Sequence, residues 1–303
     1  MDVDNPSDTF FTLAPHWTWL VVFYFFIGGV AGGSSFLAGM LDVFGVPQDR
    51  PVARIGHLLA APLVAVGGLL LIVDLNRPER FWHMMIQSES GGIMFKWWSP
   101  ISFGAWVVLF YGIVSGILFL AVLAETGKLP GGLNSLRSLR DGVVGRVLSA
   151  LVALFGLFLA GYTGILLATT NRPLWADTNL LGLLFLLSGI SAAAGAMTLL
   201  SWRFAHAGTV GWLGRMDLYS SALELLVLIV LAISIGSVVN EVWGNAWGAL
   251  LLFGVIILGI LIPLALHWRP RLLGSMSLPS AAALAIVGSF FLRTVVVMAS
   301  ERV

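Results

Sequence analysis

Residues 249–266, Ala249-Leu250-Leu251-Leu252-Phe253-Gly254-Val255-Ile256-Ile257-Leu258-Gly259-Ile260-Leu261-Ile262-Pro263-Leu264-Ala265-Leu266, carry no charged side chain. A helix that crosses the hydrocarbon core of a bilayer needs about 20 mostly apolar residues. With its flanks, 245–268, this run is long enough. Comparable runs lie at 17–43, 52–75, 100–124, 146–169, 179–200, 218–240 and 281–299. A transmembrane β-barrel also satisfies every backbone group in lipid, but it would show alternating segments of about 10 residues. Working outward, 58% of the sequence is hydrophobic and 10% charged, with mean hydropathy +0.96, whereas soluble domains carry about 25% charged residues. The sequence predicts an all-α integral membrane protein of eight transmembrane helices. The connections are short, so residues 1–303 read as one membrane domain whose chemistry sits in or beside the bilayer.

There is no cysteine, which excludes disulfides, thiol chemistry and cysteine-ligated iron–sulfur clusters within the chain. The first sixteen residues hold Asp2, Asp4 and Asp8 and no Lys or Arg, the opposite of a signal peptide's basic start, so no cleaved leader is expected. Basic residues are retained on the cytoplasmic side of a membrane. One set of loops carries Arg50, Arg54, Lys128, Arg137, Arg140, Arg146, Arg203, Arg215, Arg269 and Arg271; the other carries Arg77, Arg80, Lys96, Arg172 and Arg302. Both termini are therefore expected outside. Trp17, Trp19, Trp82, Trp97, Trp98, Trp175, Trp243 and Trp247 lie near the outer ends of the spans, as an aromatic belt or as a docking surface for a partner.

Small residues at a spacing of four let helices approach closely. The first span has Gly28, Gly29, Gly32 and Gly33 followed by Ser34 and Ser35; the fifth has Ser188, Gly189, Ser191, Ala192 and Gly195. The second span ends in Asp74-Leu75-Asn76-Arg77-Pro78-Glu79-Arg80-Phe81-Trp82. Either Asp74 and Arg77 satisfy each other at the interface, or Asp74 exchanges protons with a ligand arriving from the bilayer. The fourth span ends in a similar way, with Tyr162 about two turns inside the boundary and then Asn171-Arg172-Pro173. Tyr162 either offers its hydroxyl to a bound head group or snorkels to the interface.

Asp217 opens the expected sixth span and Glu224 lies two turns in; Asp42 stands at the inner end of the first span and Arg293 within the eighth. These four residues read as part of a proton route or as buried ion pairs. His16, His57, His83, His206 and His267 all fall at span ends or in loops, so the paired axial ligands of a membrane cytochrome b are missing. The sequence shows no metal-binding helix pair and no nucleotide-binding loop.

In order along the chain, Gly28-Gly29-Val30-Ala31-Gly32-Gly33, Asp74-Leu75-Asn76-Arg77-Pro78 and Ser99-Pro100-Ile101-Ser102-Phe103-Gly104-Ala105-Trp106 are followed by Tyr162-Thr163-Gly164-Ile165-Leu166-Leu167 with Pro173-Leu174-Trp175, and by Gly288-Ser289-Phe290-Phe291-Leu292-Arg293. In these elements the chain resembles the polysulfide reductase membrane subunit (NrfD-type) family. The resemblance implies a haem-free membrane anchor of two four-helix bundles that binds a quinone, menaquinone or ubiquinone, near the outer face of a bacterial or archaeal cytoplasmic membrane. It implies electron exchange with a four-cluster ferredoxin-like iron–sulfur subunit, often attached to a molybdenum or tungsten catalytic subunit, and no nucleic-acid partner. Asp74 and Tyr162 match positions near the quinone head group, with Trp17, Arg77 and His83 as neighbours. In this scheme a quinol arrives from lipid between the first and fourth spans, Asp74 takes a proton and Tyr162 holds a quinone oxygen. The alternatives are a secondary transporter or proton channel built on Asp42, Asp217, Glu224 and Arg293, and a passive anchor. Only Pro62 and Pro263 interrupt spans, whereas a transporter often shows helices broken near mid-membrane.

Overall fold

The computed structural model describes residues 17–75 and 77–301; Asp2, Asp4, Asp8, His16, Asn76 and Arg302 lie outside the described residues. Eight helices are long and apolar enough to cross a membrane. They are α1 (Trp19–Phe44), α2 (Arg50–Asp74), α3 (Pro100–Glu125), α4 (Gly142–Ala168), α5 (Leu181–Ser201), α6 (Ala207–Ile235), α7 (Ala246–Trp268) and α8 (Ser277–Ser300). The protein is a multi-pass membrane protein. Among the described residues the only β pairing is an isolated bridge from Ile86 to Ile93.

Local chemistry sets the helix ends. Thr18 caps α1 through the Leu20 amide, Ser99 caps α3 ahead of Pro100 at its first position, and Asn245 caps α7 through the Trp247 amide. Residues 250–261 of α7 are wound as a π-helix, a form rare beyond single turns. The sixth span departs most from its expected bounds: it begins at Ala207 instead of 218 and ends at Ile235, where Gly236 turns the backbone at φ 57°. Asp217 therefore does not open the span but lies three turns inside it. Helix continues through Arg215 and Asp217 because the Asp217 carboxylate has buried partners on α5, α6 and α7.

In lipid, helices gain little from excluding water and associate by close packing. α1 and α5 are the most buried spans, and α8 follows. α1 packs on α2, α4 and α5; α5 packs on α1, α4, α6 and α8; α3 lies against α2 and α4, and α7 against α8 and α6. The two small-residue rows face each other. A side chain on Gly33 would run into the Gly189 carbonyl and the Ala193 methyl of α5, and one on Gly32 would run into the Gly156 carbonyl of α4.

The Trp17 amide donates to Glu301 Oε1 at 2.9 Å, so the two ends of the described chain meet on one side of the bundle, the terminal end. Asp74, Pro100 and Ala168 share that side. Arg50, Glu125, Arg203 and Arg269 lie at the opposite, basic end.

Candidate functional site

At the terminal end, α2 stops at Asp74 as Leu75 turns to extended backbone and Pro78 opens a short 3-10 helix, Pro78–Met84. Asp74 Oδ1 accepts a hydrogen bond of 2.8 Å from Thr18 Oγ1. That same hydroxyl oxygen accepts from the Leu20 amide at 3.2 Å, so one side chain caps α1 and holds the carboxylate that ends α2. Arg77 is exposed, and among the described residues no ion pair joins it to Asp74. The His83 ring packs edge-on against Trp82 at 3.9 Å between centroids. No hydrogen bond among the described residues ties Arg77 or His83 to Asp74 or Tyr162.

Tyr162 stands on α4 with its ring stacked on Phe158 at 5.2 Å and lodged where a side chain on Gly104 of α3 would be. Its hydroxyl donates to the Pro100 carbonyl at 2.6 Å. The proton of Tyr162 is thus committed to protein, and the lone pairs of its oxygen are what it offers to a ligand. Trp17 lies beside Trp175 and Phe25 at 5.2 and 5.6 Å between centroids. Trp175 does not belong to an aromatic belt, as its fully buried indole donates to the Val296 carbonyl at 2.8 Å. Trp97 and Trp98, just before α3, are exposed aromatics at this end. Tyr24, on α1, carries no signal in the sequence. It is buried beside Gly28 and Gly67, and the Gly28 position also meets Leu159, one turn before Tyr162 on α4.

The four residues grouped by sequence as a proton route divide between two clusters. At the basic end of α1 to α4, Arg140 Nη2 reaches both Asp42 oxygens at 2.8 and 2.9 Å, and its Nη1 reaches Glu125 Oε2 at 2.5 Å. His57 Nε2 and Ser149 Oγ complete the shell of Asp42 at 2.8 and 3.0 Å. Arg50 and Arg54 both bind Glu125 Oε1 at 2.6 Å. Counted by sequence as a loop cation, Arg140 has a side chain only 1% exposed. Uncompensated buried charge is costly, and this cluster leaves neither carboxylate without a cation.

The other three meet inside α5 to α8. Asp217 Oδ1 accepts from Ser191 Oγ at 2.6 Å and Ser221 Oγ at 3.3 Å, and His267 Nε2 lies 2.7 Å from Oδ2. Glu224 follows two turns on, buried, with Ser188, Arg293 and Asp217 as polar neighbours. Arg293 is fully buried and makes five hydrogen bonds: to the Phe25 carbonyl at 2.9 Å, the Phe185 carbonyl at 3.1 Å, the Ser289 carbonyl and hydroxyl at 2.9 and 2.6 Å, and Ser188 Oγ at 3.2 Å. One guanidinium thereby joins α1, α5 and α8.

Comparison with known proteins assigns the lineage. The family model described as "Polysulphide reductase, NrfD" matches residues 9–303. The protein is 27% identical to "Protein NrfD" of Escherichia coli K12, over 94% of its own length and 95% of that protein. It is also 27% identical to a protein of Wolinella succinogenes named as one of the chains of polysulfide reductase, over 83% of its own length and 82% of that relative. A shorter match, 28% identical over 36% of its own length and 22% of the relative, is to a protein of Mesobacillus selenatarsenatis named as a selenate reductase subunit. With its eight spans and a family match over nearly its whole length, the chain belongs to the NrfD polysulphide reductase family.

Proposed function

We propose that this protein is the quinone-reacting membrane subunit of a respiratory oxidoreductase complex. It exchanges electrons with an iron–sulfur partner of the four-cluster ferredoxin type, itself carried with a molybdenum or tungsten catalytic subunit. Family membership and relatives that are named as parts of polysulfide and selenate reductases support the placement in such a complex. The observation that carries the quinone assignment is Asp74. It is a half-buried carboxylate at the end of a span, held by the Thr18 hydroxyl and free of an ion pair with Arg77. Such a group is suited to take a proton from a ligand at the lipid boundary.

A quinol that becomes a quinone gives up two protons and two electrons. Asp74 Oδ2 accepts one proton, and the second leaves to water at the same boundary. The Tyr162 oxygen, whose hydroxyl donates to the Pro100 carbonyl, accepts a hydrogen bond from a quinol hydroxyl. The two electrons pass to the partner subunit docked on the terminal end, which the distribution of Lys and Arg favours as the outer one. Helix neighbours are consistent with two groups of four, α1 to α4 and α5 to α8, joined through α1 and α5. Photolabelling of the assembled complex with an azido-naphthoquinone tests the site. Label on peptides spanning Trp17–Phe25, Leu70–Asp74 and Phe158–Tyr162 supports it, and label confined to α6 and α7 refutes it.

The buried series from His267 through Asp217, Ser191 and Ser221 toward Glu224 favours a second activity, proton conduction from the basic end. Proton uptake by liposomes holding this protein alone, abolished by Asp217→Asn, would support it; uptake that persists in the variant would exclude this route.

A further inference from the structure

Three tyrosines are buried among the described residues: Tyr24, Tyr111 and Tyr162. A buried phenol ordinarily finds a hydrogen-bond partner. Tyr111 donates to the Ala31 carbonyl at 2.8 Å and Tyr162 to the Pro100 carbonyl at 2.6 Å. Tyr24, 3% exposed, has no hydrogen-bond partner among the described residues. Nothing about the helix demands a tyrosine there, because the ring alone fills the space beside Gly28, Gly67 and Phe25.

Its position is that of the missing donor. Tyr24 lies six residues along α1 from Thr18, about 9 Å by helical rise, and Gly67, against its ring, lies seven residues before Asp74, about 10 Å along α2. The Tyr24 ring is thus about two turns deeper in the bundle than Asp74, and the Gly28 position it packs against also meets Leu159, one turn before Tyr162 on α4. An oxidised quinone carries only acceptor oxygens. An ionised Asp74 has no proton to donate, and the Tyr162 hydroxyl already donates to the Pro100 carbonyl. We propose that Tyr24 is the hydrogen-bond donor to the inner oxygen of the bound quinone, with Asp74, carrying the proton it takes from the quinol, at the outer oxygen. This assignment rests on the quinone site proposed above. It makes Tyr24 the group that favours the oxidised ligand, whereas Asp74 and Tyr162 as acceptors favour the quinol.

The test is Tyr24→Phe in the purified complex, with a short-chain naphthoquinone titrated in its oxidised and reduced forms and the bound carbonyl stretch followed by redox-difference infrared spectroscopy. Affinity for the oxidised form is expected to fall about tenfold. The quinol should lose less, and one carbonyl band should move toward its unbonded frequency. Thermal stability should not fall, since the hydroxyl has no protein partner to lose. Asp74→Asn is measured in parallel. If Asp74→Asn alters binding and Tyr24→Phe alters neither affinity nor the carbonyl band, the site stands and the role of Tyr24 is overturned. If neither variant changes anything, the quinone site lies elsewhere and both assignments fall. Should Tyr24→Phe not assemble, Gly67→Val keeps the hydroxyl but crowds the ring, and it must weaken oxidised-quinone binding for the proposal to hold.

Discussion

Thr18 Oγ1 donates to Asp74 Oδ1 at 2.8 Å while accepting from the Leu20 amide, so the helix cap of α1 and the position of the Asp74 carboxylate depend on one hydroxyl. Thr18→Val removes both interactions and keeps the shape. The complex is expected to lose about 1 kcal/mol of stability and several-fold in quinol-linked turnover, because Asp74 remains but is less well held. Turnover at the wild-type rate with lowered stability would separate the cap from the chemistry.

Glycine at the α1–α5 crossing is needed for contact between backbones. Gly33→Leu forces a side chain onto the Gly189 carbonyl and Ala193, and it should cost about 3 kcal/mol or prevent accumulation of folded protein. Gly68 on α2 has open space at its Cβ position, and Gly68→Ala should be neutral or stabilising by about 0.5–1 kcal/mol. Yield after detergent extraction and thermal midpoints of the two variants check the contrast.

Arg140 satisfies Asp42 and Glu125 together. Arg140→Met leaves Asp42 with only His57 and Ser149 as partners, and about 3–5 kcal/mol of destabilisation is expected. Asp42→Asn in the same protein should restore part of that loss. A double variant no more stable than Arg140→Met would show that Arg140 acts by packing and not by charge.

Arg293 holds two backbone carbonyls of other helices, and Glu224 is the nearby carboxylate. Arg293→Met should destabilise more than Glu224→Gln, and in the double variant the losses should fall short of their sum, since removing both charges strands neither. Strict additivity in denaturation midpoints would place the two charges out of reach of each other.

Much of the fold was legible in sequence, for a physical reason: the length and apolarity of a span are local properties. The seventh run, 245–268, needed no knowledge of its neighbours to be read as a helix, and the glycine rows already said that α1 and α5 are packed closely. What failed was long-range pairing. Asp217 looked like a helix boundary because its partner His267 lies fifty residues away. Arg140 looked like a loop cation because nothing local shows that it turns inward to Asp42. Trp175 looked interfacial, although its indole is satisfied by a carbonyl on α8. Tyr24 carried no signal because the spacing of hydroxyls along a sequence does not say which of them lacks a partner.

The proton-accepting role of Asp74 is decided by turnover of the assembled complex with a quinol analogue, wild type against Asp74→Asn. The substitution keeps the hydrogen bond from Thr18 within reach and removes only the carboxylate's capacity to take a proton. A fall of about a hundredfold is expected, with the partner subunits still bound and the thermal midpoint unchanged. Turnover at the wild-type level would contradict it.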